Sequence, residues 1–270
     1  MLEQASDLRA ECDALYDFVS SLDADTWQQP TPFKGWTVWD VIAHLHYFNE
    51  AAVLSATSEE AFAASLVELV KGFEDGLDLA AFTRRHLNAL APEELLERWR
   101  SRFVEMCDLL GASDPQCRLK WYGPDMGVRM FATARQMETW AHGQDIYDLM
   151  RAEREHFDRI SNIVVLGVKT FAWSFANRDL EPPGELPYLR LTAPSGKLWE
   201  WGEPGQTERV EGTAVDFCRV VTQNRNVADT DLVVVGPTAT KWMGIAQCFA
   251  GGPVDPPAPG ERAWERRARD

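Results

Sequence analysis

From Leu8 through Cys12, Leu15, Val19 and Leu22 the apolar residues stand four, three, four and three apart, one buried stripe of a helix. Helical spacing of this kind recurs along the chain without a strand pattern as far as Phe175, and there the character changes. Leu180-Glu181-Pro182-Pro183-Gly184 brings two prolines and a glycine together. Beyond it Tyr188 to Ala193 alternates, Pro194-Ser195-Gly196 turns the chain, and Leu198 to Trp201 supplies a hairpin partner. A chain whose first part is helical throughout and whose second part mixes strand and helix periods builds two architectures in succession. The expected fold is α+β, with a helical bundle over 1–180, a smaller mixed α/β domain over 181–255 and a tail over 256–270.

Within the bundle, Gln28 to Gly35 contains Pro30 and Pro32 and reads as a loop, and Thr37-x-x-Asp40 reads as a capped helix start that sets His44 two turns inside. Ser58 to Phe73 and Leu79 to Leu90 are less regular helices. Pro92 opens a strong helix with Leu96, Trp99, Phe103, Met106 and Leu110 on one face. Ala112 to Met126 is expected as a loop, Gly127 to Met150 as a helix and Arg154 to Phe175 as another. In the second domain Arg209 to Gly212 adds a third strand and Thr213-x-x-Asp216 opens a helix through Val221. Leu232 to Val235 is a further strand, and a helix with Ala239, Trp242, Ile245, Ala246 and Phe249 closes at Gly251 and Pro253.

Composition narrows the partners. Of 270 residues 45% are hydrophobic and eleven are tryptophan, enough for a substantial core without staples. The 42 acidic residues outweigh 27 basic ones for a formal charge of −15, which repels phosphate backbones and anionic membrane surfaces alike. A small-molecule substrate is expected, with neither nucleic acid nor membrane as partner; oligomeric state is open. The basic run from Arg262 to Arg269 is short and reads as a solvated tail. Five scattered cysteines form no Cys-x-x-Cys pair, which suits a reducing compartment. Met1 leads into an acidic amphipathic segment with no basic-then-apolar leader, so a cytoplasmic location is expected.

The chemistry concentrates on two helices. Glu138 and His142 lie four apart on one helical face, shared with Ala134, Ala141 and Asp145, so a carboxylate and an imidazole point inward. Such groups are costly in an apolar interior unless something satisfies them, and a metal would. The earlier helix offers His44, which travels with Val41, Leu45 and Phe48. Two histidines and one carboxylate hold a divalent ion while leaving coordination positions open, an arrangement suited to catalysis. His46, two positions on, faces elsewhere, and Asp40 reads as a cap rather than a ligand. His86, among Arg84, Arg85 and Asn88, reads as an exposed surface histidine. Asp145 either orients the His142 ring from outside the metal shell or is a surface aspartate.

Gly35-Trp36-Thr37-Val38-Trp39-Asp40-Val41-Ile42-Ala43-His44-Leu45 resembles the second-helix motif of the DinB-like, mycothiol-dependent maleylpyruvate isomerase family. Glu138-x-x-x-His142 falls where that family has its other two metal ligands, and Gly212-Thr213 through Ala250-Gly251 resembles its C-terminal domain. The resemblance implies a DinB-like four-helix bundle that binds a divalent metal, zinc first and nickel second, through His44, Glu138 and His142, under an α/β domain. It also implies a low-molecular-weight thiol such as mycothiol as cofactor, and a catalytic arginine from the second domain. Arg225, in Thr222-Gln223-Asn224-Arg225-Asn226, is the nearest candidate for that arginine; the alternative is a surface-loop residue beside Asp229.

Three functions follow. The first is a thiol-dependent isomerase or S-transferase acting on a small electrophile. The second keeps the metal and uses it for hydrolysis without a thiol. The third is a non-catalytic binding protein with a structural metal, which three good ligands serve less well than four.

Overall fold

A computed structural model of the chain describes residues 2–204 and 207–262 and divides them into two compact units, 1–150 and 151–270. In the first unit α1 (Glu3–Ser20), α2 (Val38–Thr57), α5 (Pro92–Ala112) and α6 (Val128–Met150) form a four-helix bundle, with α1 against α5 and α6, and α2 against α5 and α6. α3 (Glu59–Glu74) and α4 (Leu79–His86) pack on the outer side of α2. Helix α2 is consequently buried on almost every side, which is why polar residues such as Asn49 and His46 end up inside.

The bundle core is assembled from the stripes the spacing marks. Leu8 and Leu15 of α1, Ile42 and Leu45 of α2, Trp99 and Phe103 of α5, and Phe131 of α6 are fully buried and belong to one cluster. Each such side chain contributes about 1.5–3 kcal/mol relative to exposure. α2 starts where expected. Thr37 Oγ1 accepts from the Asp40 N–H while Asp40 accepts from the Thr37 N–H, a reciprocal capping box worth about 1 kcal/mol. Arg84 of α4 closes on the same carboxylate, with Nε 2.6 Å from Asp40 Oδ1, so Asp40 is occupied as a cap and an ion pair.

The Ala112–Met126 segment departs from the expected plain loop. β1 (Arg118–Leu119) and β2 (Met126–Gly127) pair antiparallel across it, a short ribbon that carries the chain into α6.

The second unit holds α7 (Ser161–Lys169), α8 (Phe171–Ala176), β3 (Tyr188–Thr192), β4 (Leu198–Trp201), β5 (Arg209–Thr213), α9 (Ala214–Val221), β6 (Val233–Val235) and α10 (Pro237–Ile245). The sheet runs β4-β3-β5-β6, with β3 parallel to β5 and the outer pairs antiparallel. Leu189 and Leu191 alternate inward from β3, and Phe217 of α9 meets Trp242 of α10 edge to face. Gly236, at φ +95°, opens α10 where a Cβ would strike the Thr207 carbonyl, so this turn requires glycine.

Three boundaries differ from expectation. The division between units falls after Met150, not near 180, because α7 packs on α9 and α8 on α10, so these helices belong with the sheet. The helix expected over 154–175 is two helices broken at Thr170, whose hydroxyl bonds back to the Leu166 carbonyl. α10 ends at Ile245 rather than at Gly251, because Ala246 turns extended and the Cys248 N–H donates to the Val221 carbonyl at the end of α9. The tail is also shorter than 256–270: Asn226 donates to the Pro257 carbonyl and the Gly260 N–H to Asp229. The rest of the expected basic tail, from 263 on, lies outside the described residues.

Candidate metal centre

α2 presents His44 and α6 presents Glu138 and His142, and the three side chains converge. His44 Nε2 lies 3.2 Å and His142 Nε2 3.5 Å from the same oxygen, Glu138 Oε2. All three candidate ligand atoms lie within 4.8 Å of one another. Ligands about 2.1 Å from a tetrahedral ion stand roughly 3.4 Å apart, so this donor set fits a divalent cation with small adjustments.

Burial and electrostatics prepare the donors differently. His44 is pushed down to about 4, first by burial and then by the nearby His142 ring, so its imidazole is neutral at neutral pH. Burial also opposes a charge on His142, but bonds to Asp145 and Glu138 overcome it and raise that ring to about 9. Burial would lift Glu138, yet the hydrogen bonds from His142 and His44 hold its carboxyl well below the usual range. Asp145, 1% exposed, lies 3.3 Å from His142 Nδ1. Through that bond it holds Nδ1 as the donor and turns Nε2 toward Glu138. His44 Nδ1 is buried with no hydrogen-bond partner among the described residues, so beyond the Nε2 contact with Glu138 the ring is held by packing against Phe48 at 4.8 Å and Trp36 at 5.3 Å.

The rings around the site come from a turn that joins the Gln28–Gly35 loop to the cap of α2. Lys34 and Gly35 both have positive φ, 51° and 70°, and the Trp36 N–H bonds back to the Phe33 carbonyl. Two successive positive-φ residues make a tight reversal for which glycine is suited. The reversal lays Trp36 flat on His142, at 5.8 Å and 14°, and Phe33 edge-on to the same ring at 4.8 Å. Lys-Gly between two aromatics just before a helix cap was the available signal.

The other histidines sort themselves by partner. His46, 3% exposed, faces Glu50 rather than the centre, as its position two residues on requires. His86 is exposed, as expected, and its ring stands between two acids, 3.8 Å from Glu50 and 3.3 Å from Glu68. Arg225 lies in the second unit, just after α9, and is 4% exposed, with Nη1 donating to the Asn224 carbonyl; the surface-loop alternative does not hold.

The fold and this cluster together define a DinB-like helical bundle with a two-histidine, one-carboxylate centre, followed by an α/β unit. The chain belongs to the mycothiol maleylpyruvate isomerase family: the family's N-terminal domain profile matches residues 8–147. Two proteins of Mycobacterium tuberculosis, one from strain CDC 1551 / Oshkosh and one from strain H37Rv, both described as uncharacterized, are each 40% identical over 248 residues. Those alignments cover 92% of this chain and 95% of each relative. Among solved structures, the mycothiol-dependent maleylpyruvate isomerase matches with a TM-score of 0.53 and 17% identity, over 81% of this chain and 87% of that one. A mutant of that enzyme matches with a TM-score of 0.52. At this identity the likeness speaks to the fold.

Among the described residues no helix is long and apolar enough to cross a membrane. None of the five cysteines is in a disulfide.

Proposed function

We propose that the protein is a divalent-metal-dependent enzyme that uses a low-molecular-weight thiol, mycothiol first, for isomerisation or S-transfer on a small electrophilic substrate. The observation that carries this reading is the convergence of His44, Glu138 and His142 within a family whose characterised fold relative is a mycothiol-dependent isomerase. Zinc is the first candidate ion, and nickel the second. A bound divalent ion lowers the pKa of a coordinated thiol and so makes a thiolate available at neutral pH.

The chain's own residues have defined parts. His44 enters neutral and contributes Nε2 directly. Glu138 contributes the negative charge, and Asp145 fixes the His142 tautomer so that Nε2 faces the ion. Phe33, Trp36 and Phe48 shield the imidazoles from water, which strengthens every charge interaction among them. Arg225 acts in this reading as the clamp for a substrate or cofactor carboxylate. A reducing cytoplasmic location belongs to the same reading.

Elemental analysis of purified protein tests the metal: one divalent ion per chain is expected. Melting of the zinc-loaded protein against mycothiol, bacillithiol and glutathione tests the thiol. A true cofactor at a hundred times its Kd stabilises by about 2.7 kcal/mol. No shift with any thiol moves the assignment to hydrolysis.

A further inference from the structure

The seam between α2 and α6 holds a second buried polar group whose partners are incomplete. Arg135 precedes Glu138 by three positions and His142 by seven, on the same face of α6, and is 3% exposed. Its guanidinium lies over the rings of Phe48 and Trp121, at 5.9 and 5.8 Å. Nη2 donates to Asn49 Oδ1 at 3.0 Å, and Asn49 is 0% exposed. Two donors are left over: Arg135 Nε and the amide nitrogen of Asn49 are buried with no hydrogen-bond partner among the described residues. No carboxylate stands within ion-pair distance of the guanidinium among those residues; Glu138, the nearby acid, is taken by two histidines.

A guanidinium withdrawn from water without a counter-charge costs several kcal/mol, and idle buried donors add to that cost. Both costs vanish if a ligand brings an anionic oxygen. We propose that Arg135 and Asn49 form the oxyanion subsite of this centre, taking a carboxylate of the small molecule that occupies it. The subsite confers specificity: it selects anionic over neutral ligands, with Arg135 Nε and Asn49 Nδ2 as donors and Trp121, half-buried on the 120–125 segment, as the covering ring. This rests on the thiol reading above only for the identity of the ligand's other end.

The test uses the zinc-loaded full chain and two probes of similar size, 3-mercaptopropionate and 2-mercaptoethanol, titrated by calorimetry. The wild type should bind the carboxylated thiol at least about tenfold tighter, the factor a single charge-assisted contact readily supplies. Arg135→Met should erase that preference while leaving 2-mercaptoethanol affinity unchanged, and Asn49→Ala should reduce it. Arg135→Lys should restore part of it. A preference that survives Arg135→Met overturns the proposal. Melting supplies an independent readout: replacing both partners at once, Arg135→Met with Asn49→Leu, removes the buried charge without orphaning the Asn49 oxygen and should leave the melting temperature equal or higher. A fall of several degrees marks Arg135 as a brace and overturns the subsite. If neither thiol binds the zinc-loaded protein, the thiol reading fails, and propionate with the metal-free protein decides the subsite. Stabilisation of wild type but not of Arg135→Met sustains it, and no stabilisation ends it.

Discussion

Replacing Asp145 by asparagine keeps the shape of the side chain and removes its charge, which isolates what the carboxylate does for His142. The two groups are 3.3 Å apart in a site where Asp145 is 1% exposed, so little solvent screens them. Loss of such an outer partner weakens metal binding by about 10–100-fold, or about 1.4–2.7 kcal/mol. The pH profile gives a sharper signature. In the metal-free protein His142 is raised to about 9, so below that pH a proton occupies the ring that must ligate. Metal affinity should therefore climb about tenfold per pH unit and level off above about 9. The same sign governs stability: the protonated ring's favourable contribution is complete below its ordinary value of 6.5 and lost as pH rises through about 9. In Asp145→Asn the imidazolium loses one of its two carboxylate partners, so the levelling-off should move to lower pH. Competition with a chromophoric chelator at a series of pH values measures both quantities. An unchanged zinc Kd together with an unchanged profile would refute the orienting role.

Three further outcomes are expected. His44→Ala, Glu138→Ala and His142→Ala should each purify without stoichiometric metal by elemental analysis while keeping the wild-type far-UV spectrum; full metal content in all three would remove the centre. Trp99→Ala, at a fully buried position of α5, should cost about 3–5 kcal/mol in urea unfolding, whereas Trp99→Phe should cost far less, because its buried indole nitrogen has no hydrogen-bond partner among the described residues. His156 is driven down to about 3 by burial and by Arg154, Arg219 and Arg159. Its folded value lies below the unfolded 6.5, so the stability it permits at neutral pH is lost as pH falls from 6.5 toward 3. His156→Gln should flatten the acid limb of a melting curve series, and an unaltered limb would count against this assignment.

The candidate ligands were legible because helix geometry is local. Four-residue spacing places Glu138 and His142 on one face in any helix, and the Thr37 cap sets the phase of His44. Strands Tyr188–Thr192 and Leu198–Trp201 were legible by alternation across a Pro-Ser-Gly turn, for the same reason. The partition of α7 and α8 was not. Their apolar faces fit a bundle or a sheet equally well, and only packing against α9 and α10 chose between them. Phe33 fell within the Gln28–Gly35 loop and Trp36 within the helix-two motif, and neither was assigned to the site, because their role depends on a reversal at Lys34-Gly35, which carries no periodic signal.

Period, capping and composition thus determined that this chain makes a helical bundle followed by a strand-containing unit, and which face of each helix turns inward. Folding decided what those faces meet: that three donors share one point, that the His86 ring stands between two acids, and that Arg135 is buried with donors to spare. Local backbone geometry is set by neighbours within a few residues, whereas a contact between positions 44 and 138 exists only after two helices have packed, and no spacing rule spans that distance.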